Sequence, residues 1–546
     1  MTTNDALGPI SEAEGYRTIT EGRAYLGMEF GSTRIKAALV DETGHLLAGG
    51  AHAWENQYVD DNWTYALEDV RNGLQACYAD LATHVQQRWG TKVTDLAGVG
   101  VSAMMHGYLA FDAKGELLVP FRTWRNTYTT EAATLLTEAF GQNIPLRWSV
   151  SHLLHAVLSG EEHIQRLAHL ATLAGYVHQL LSGRTVLGVG DASGMFPIDP
   201  ETNDYDARMI DAFGRLDAVQ SMPWKIRNLL PEVLVAGADA GQLTTEGAHL
   251  LDPTGTLRAG ALMGPPEGDA GTGMVATNSV RRRTGNVSAG TSAFATVVLE
   301  RPLSVVREEI DLVTTPAGDP VAMIHTNNCA GDLDDWMEVF QEFATLLGRP
   351  IDTTELYRTL FNEALKGSTD GGGLLVYNYL SGEHQTGVAS GRPLFVRTQD
   401  ARFTLANFMR AQLYGAFGAL ATGMKVLLHD EKVQLDTLFA HGGIFRTERI
   451  AQQILADALE TPVSVGDAAG EGGAWGMALL AAFAGNRRDG GDPACSLSEF
   501  LSSTVFADAE LMTVSPEPAG MRGHARWLHH YRDGLPVERL AGEVLN

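Results

Sequence analysis

The sequence predicts an α/β protein of two domains, each opening on the same strand, glycine turn and strand. The first observation behind this is size: 546 residues, 45% of them hydrophobic and 19% charged, exceed what one core usually supports. The second is alternation, because short apolar runs with strand character and longer runs with helical spacing follow one another along the chain. The third is a repeat. AYLGMEF, GST and IKAALVD near the start return as TGNVSA, GTS and AFATVVLE after residue 283, so Gly290-Thr291-Ser292 stands where Gly31-Ser32-Thr33 stood. A repeated supersecondary unit implies a repeated domain.

Taken in order, residues 24–53 read as a three-stranded meander whose first two strands are joined by the glycine turn. DNWTYALEDVRNGLQACYADLATHVQQRWG follows with helical spacing, then strand and loop through DLAGVGVSAMMHGYLAFDAKGELL, and residues 151–183 read as helical. Gly264, Pro265, Pro266 and Gly268 form the strongest local break, which sets the expected domains at 1–263 and 264–546. Past the second copy of the opening unit come helices at DLDDWMEVFQEFATLLG and RFTLANFMRAQLYGAFGALATGMKVLLHD, a strand at TLFAHGG, and helices at TERIAQQILADAL and GEGGAWGMALLAAFAG.

A formal charge of −26 argues against nucleic-acid and anionic-membrane partners, both of which require basic patches. Cys77, Cys329 and Cys495 are far apart and show neither metal nor disulfide spacing. The first twenty residues lack a signal-peptide pattern and no apolar run is long enough for a bilayer, so a cytoplasmic location is expected. His152, His155, His163, His169 and His178 crowd one region without a metal motif and are expected on the surface. Asp332, Asp334 and Asp335 read as the acidic first turn of a helix.

Three glycine turns follow strands: Gly31-Ser32-Thr33, Gly290-Thr291-Ser292 and Gly442-Gly443. Without a Cβ in the way, such turns let backbone N–H groups approach phosphate oxygens, and Ser or Thr hydroxyls add donors. One turn alone is an ordinary hairpin; two in repeated contexts and a third late in the chain point to a nucleotide. GxxxxGK[ST], HRD with DFG, and a GxGxxG opening a helix are all missing.

Over residues 24–485 the motifs GMEFGSTRIKAALVD, SAMMHGYLAFD, TWRN, GDASGMFPID, EGDAGTGM, NVSAGTSA, NYLSGEHQTG and AHGGIFRTERIAQQILAD occur in the order of one family. By them the chain resembles the FGGY carbohydrate kinases, and within these the xylulokinases. The resemblance implies two domains of actin-like, RNase H-type fold with ATP and a sugar in the cleft between them. It implies that Asp269, expected on a loop after the domain break, is the general base that takes the sugar hydroxyl proton. Read by spacing alone, Asp269 would be a turn residue among glycines.

On the same resemblance ATP is held by Gly31, Ser32, Thr33, Lys36, Gly290, Thr291, Gly442 and Gly443, and Glu29 stands where the family places an Asp that holds Mg²⁺. Lys36 is equally a solvated strand lysine. Glu29 carries the charge one methylene further out, which a water-mediated Mg²⁺ contact tolerates. Met105 and His106 of MMHG and Trp124 and Asn126 of TWRN are the implied sugar contacts, while Asp191 reads as structural. Ala270 replaces the family's Asn after the base and removes one sugar contact.

D-Xylulose is the expected substrate, with L-ribulose, another ketopentose or a polyol as alternatives. The rival from another class is a nucleotide-switched binding protein of actin-like fold. The expected partners are the sugar and ATP, and a homodimer stays open.

Overall fold

The computed structural model describes residues 10–466, 472–492 and 494–545. Two compact units divide the chain: the described residues of Met1–Val280, Asp311–Val321 and Asp467–Ala509 form the first, and those of Arg281–Ile310, Ala322–Gly466 and Glu510–Asn546 the second.

In the first unit Tyr25–Phe30 is apolar and buried along nearly its whole length, as expected of a strand covered on both faces. It pairs antiparallel with Arg34–Val40 and parallel with Gly98–Ala103. The sheet runs Leu262–Met263, Gly98–Ala103, Tyr25–Phe30, Arg34–Val40, Leu46–Ala53, with Glu267–Gly268 also paired to Gly98–Ala103. Helix Leu67–Trp89 packs on Leu46–Ala53, and helix Gly472–Arg488 on Tyr25–Phe30 and Gly98–Ala103. The expected start of this last helix at residues 470 and 471 lies outside the described residues.

Glycines make this second packing possible. A Cβ on Gly27 would overlap the backbone of Ala474 and Ala478, one on Gly473 the Glu29 carboxylate, and one on Gly476 the carbonyl of Thr272. Strand, helix Gly472–Arg488 and helix Asp269–Ala276 therefore meet backbone to backbone.

The second unit repeats this plan. From Pro320–Thr326 onward its strands run Pro320–Thr326, Ala293–Val298, Thr284–Ala289, Thr437–His441, Val463–Val465, Met512–Val514. Thr284–Ala289 is antiparallel to Ala293–Val298 and parallel to Thr437–His441, which is parallel to Val463–Val465. The first five strands thus match Leu46–Ala53, Arg34–Val40, Tyr25–Phe30, Gly98–Ala103 and Leu262–Met263 in order. The repeat expected from the two glycine turns is a repeat of topology.

Several expectations are corrected. The break at residue 264 lies inside the first unit, which runs on to Val280. Pro265 and Pro266 lack the N–H a ladder needs, and they interrupt one edge of the sheet: Leu262 and Met263 pair with Gly98 and Val99, Glu267 and Gly268 with Ser102 and Ala103. Asp269 is not on a loop but begins helix Asp269–Ala276. Residues 151–183 are not one helix. Ser149–Leu158 ends at Ser159 and the left-handed Gly160, strand His169–Ala171 follows, and Thr172 caps Leu173–Ser182 by accepting from the Gly175 N–H.

None of the five histidines there is exposed, and His152, His163 and His178 are buried. His152 packs between the rings of Tyr108 and Tyr128, His163 shares a 2.8 Å hydrogen bond with the Tyr108 hydroxyl, and His178 meets the Ala240 carbonyl. Burial pushes His152 down to about 3 and His178 to about 4, so both are neutral core groups. Asp332 and Asp334 do lie in the first turn of helix Gly331–Leu346. Among the described residues no helix is long and apolar enough to cross a membrane.

Candidate active site

The first unit's expected site residues gather at the carboxyl ends of its central strands. Tyr25–Phe30 presents Glu29, flanked across the sheet by Lys36 on one side and Ser102 on the other. The strand leads into Gly31-Ser32-Thr33, where the Gly31 N–H donates to the Arg34 carbonyl at 3.0 Å. The Tyr65 hydroxyl holds the Ser32 carbonyl at 2.6 Å and the Trp54 indole the Gly31 carbonyl at 2.7 Å. Next to it, Gly98–Ala103 leads into Met104, Met105, His106 and Gly107.

Asp269 lies at the head of its helix, and its Oδ1 accepts the Met105 N–H at 3.1 Å. Behind it the Thr272 hydroxyl meets the Ser102 hydroxyl at 3.1 Å, tying the helix to the strand. Asp269 and Glu29 are both partly exposed. Burial nevertheless pushes the Asp269 carboxyl above its ordinary value, against the pull of the Met105 and Ala270 N–H groups. Burial lifts Glu29 to about 7 against the attraction of Lys36, and Asp269 adds to the rise. A carboxylate made more basic by its surroundings is a better proton acceptor near neutral pH.

His106 is buried and in the left-handed region at φ 72°, a conformation rare outside glycine; it leads into Gly107 at φ 104°. Its ring lies near-parallel to Trp148 with centroids 6.3 Å apart, and its Nδ1 is 3.4 Å from the Gly194 carbonyl. Met105 is buried as well. Trp124 is 37% exposed and its indole N–H donates to the Ser32 hydroxyl at 3.3 Å, which joins a sugar-side expectation to a phosphate-side one. Asn126 is different: its Oδ1 accepts from Trp63 N at 2.9 Å and its Nδ2 donates to the carbonyls of Trp63 and Thr123. These bonds hold the loop that carries Trp124.

In the second unit Gly290 and Thr291 end strand Thr284–Ala289 and Gly442 and Gly443 end its parallel neighbour Thr437–His441, so the two turns lie side by side. All four residues are exposed. Gly442 has φ 121°, and a Cβ there would overlap the Ala289 carbonyl; nothing lies within 4 Å of a Cβ on Gly443. The carbonyls of Gly290 and Thr291 accept from Ala330 N at 3.0 Å and Cys329 N at 2.8 Å, just before helix Gly331–Leu346. The result is an exposed, largely side-chain-free ledge suited to phosphate oxygens.

The sequence reading passed over Glu267, although it lies in the quoted EGDAGTGM. It is 1% exposed, and its carboxylate accepts Gly190 N at 3.2 Å and Asp191 N at 2.9 Å. Burial and the neighbouring Asp191 push it up to about 8, while Asp191 is pushed up to about 7 by burial and by Asp269. The available signal was the pair Gly188 and Gly190: a Cβ on either would overlap the Glu267 carboxylate.

For Mg²⁺ the donor chemistry fits. Glu29 is a partly exposed hard-oxygen donor, and among the described residues no cluster of three or more ligating side chains surrounds it. Mg²⁺ commonly keeps several waters and binds through one carboxylate and substrate phosphates.

The duplicated sheet, with carboxylates at one copy's strand ends and a glycine ledge at the other's, defines a two-domain protein of actin-like fold. Comparison with known proteins gives the family. The model described as "FGGY family of carbohydrate kinases, N-terminal domain" matches residues 24–255 and its C-terminal counterpart residues 285–485. The chain belongs to the FGGY family of carbohydrate kinases.

Its relatives include the xylulose kinase of Escherichia coli, 24% identical over 94% of this chain and 99% of that enzyme. The xylulose kinase of Lactococcus lactis is 23% identical over 49% of this chain, and the match spans 52% of that enzyme. Among solved structures, a ligand-bound xylulose kinase from Lactobacillus acidophilus aligns with a TM-score of 0.75 at 16% identity, covering 96% of this chain and 100% of the other. Plasmodium falciparum glycerol kinase with ADP aligns at 0.72 with 14% identity, covering 94% and 98%. At such identities the structural likeness speaks for the fold alone.

Proposed function

We propose that the chain transfers the γ-phosphoryl group of ATP to a hydroxyl of a ketopentose, D-xylulose first among them, with Asp269 as general base. The observation that carries this reading is the Asp269 carboxylate itself. It is fixed at a helix head by the Met105 N–H and made more basic by burial, beside the loop that bears Met105 and His106. As the hydroxyl oxygen attacks the γ-phosphorus, its proton passes to Asp269, and the bond from phosphorus to the β,γ-bridging oxygen breaks to release ADP.

Met105, His106 and Trp124 orient the sugar. In the second unit the turns at Gly290-Thr291 and Gly442-Gly443 offer backbone donors for phosphate oxygens; in the first, Ser32 and Thr33 offer hydroxyls and Lys36 a positive charge. Mg²⁺, held near Glu29 largely through water, would neutralise phosphate charge. The sugar rests on the family's xylulose kinases, since glycerol kinase shares the fold as well.

A coupled assay over a panel of ketopentoses and polyols tests the substrate: the highest kcat/KM should fall on D-xylulose, and a clear preference for L-ribulose or a polyol would replace it. Asp269→Asn tests the base. The variant keeps size but cannot take the proton, so kcat should fall by about 10²–10⁴ while sugar and ATP dissociation constants stay within a few-fold. A near-normal kcat would remove Asp269 from the mechanism.

A further inference from the structure

We propose that Glu267 is a positioning residue for catalysis: its buried carboxylate clamps the Gly188–Gly194 segment against the wall formed by Met105, His106 and Asp269. The proposal rests on Asp269 being the base. The contact is specific on both sides. One oxygen accepts from Gly190 N and the other from Asp191 N, while the Pro266 carbonyl accepts from Gly188 N at 2.8 Å. The segment and the strand that delivers Asp269 are thereby joined by three hydrogen bonds. Gly188 and Gly190 leave room for the carboxylate and for nothing larger.

What the clamp holds is the back of the sugar wall. A Cβ on Gly194 would come within 2.6 Å of His106 Nδ1 and 2.9 Å of the Met105 methyl, so this segment sets how far both side chains can retreat. Asp191, inside the clamped turn, accepts the Thr172 hydroxyl at 2.6 Å with one oxygen and carries its other, buried oxygen beside Gly268 and Met105. The Ser193 hydroxyl donates to the Gly190 carbonyl and accepts the Thr314 N–H, closing the turn from the far side. Two backbone N–H groups held by one buried side chain fix the segment at both points, and catalytic geometry slackened by a fraction of an ångström loses rate. Glu267 touches neither sugar nor nucleotide; it acts through Met105, His106 and Asp269.

The test uses Glu267→Gln in the full chain, with steady-state kinetics on the best sugar, calorimetric sugar binding and thermal unfolding. Gln keeps the shape but turns an NH₂ toward one of the two backbone donors. The expected result is a roughly tenfold lower kcat and a similarly weaker sugar Kd, with the ATP KM within twofold and the unfolding midpoint within a few degrees.

Gly190→Ala disturbs the same contact from the other partner and carries the test if Glu267→Gln does not fold. Where both variants fold, the double variant should lose little more than either alone. Unchanged kcat and sugar affinity, or an ATP KM that rises in step with the sugar Kd, overturns the proposal. Failure of the base assignment looks different: Asp269→Asn would keep its kcat while Glu267→Gln still weakened sugar binding.

Discussion

The two strand–turn–strand units of this chain share a topology and differ in chemistry. Where the first has Glu29 before its glycine turn, the second has Ser288; where Glu29 faces Lys36 and Ser102 across the sheet, Ser288 faces Phe294 and His441. The strand beside the first turn runs into Met105 and His106 and the edge beyond it into Glu267 and Asp269, whereas the strand beside the second runs into Gly442 and Gly443. One copy has gathered Glu29, Glu267 and Asp269 at its strand ends, the other an exposed ledge of backbone. The same scaffold can therefore offer a proton acceptor at one strand end and donors for phosphate at the other.

The comparison can be broken most sharply at Gly442. In Gly442→Ala a methyl must enter the Ala289 carbonyl at φ 121°. Strain of this kind costs about 1–3 kcal/mol before any overlap is counted. Nucleotide binding should vanish and the unfolding midpoint fall by several degrees, seen by calorimetry and nucleotide titration. A variant that binds ATP normally would take this turn out of the nucleotide site.

Gly443→Val meets no neighbour within 4 Å, so folding should survive. Its side chain would cover the ledge, and the ATP KM should rise about tenfold, the worth of one hydrogen bond to a charged phosphate, with the sugar KM unmoved. Equal rises in both would dissolve the division of labour between the copies.

The reciprocal variant, His106→Ala, should weaken sugar binding about three- to tenfold, one neutral hydrogen bond, and leave ATP binding intact. Unchanged sugar affinity in titration calorimetry would move the sugar elsewhere.

The smallest effect concerns the acids. Asp191 sits at about 7, above its ordinary 3.8. The folded chain thus holds that proton more tightly than the unfolded one, and the associated stability, complete below about pH 3.8, is lost as pH rises through about 7. Asn cannot ionise, so the midpoint of Asp191→Asn relative to wild type should climb by a few degrees between about pH 4 and pH 8, whatever the constant offset. A flat difference would show that Asp191 does not titrate in that window.

The sequence made the repeated hairpin readable because glycine turns and alternating apolar runs are local signals. It made Asp269 readable only through the family motif, since an Asp among glycines is otherwise a turn residue. What it hid was long-range. The Pro265-Pro266 pair marks a break whether it divides a domain or a strand edge, and pairing with Gly98–Ala103 decides which. His152 and His178 look polar in sequence, but the rings around one and the Ala240 carbonyl at the other decide their burial. The amide partners of Asn126, Trp63 and Thr123, are likewise set by the loop's fold rather than by spacing.

The side-chain-free seam where Gly27 admits Ala474 and Ala478 also governs the order in which the chain can be built. Strand Tyr25–Phe30 leaves the ribosome long before the helix packed on it, Gly472–Arg488. Until then the face of the strand at Gly27 lacks this helix, however early the sheet assembles. The first unit therefore cannot close its packing until that helix has been made. Until then it must wait in an incomplete form, and a message truncated before the codon for Gly472 would yield a protein without its first unit closed.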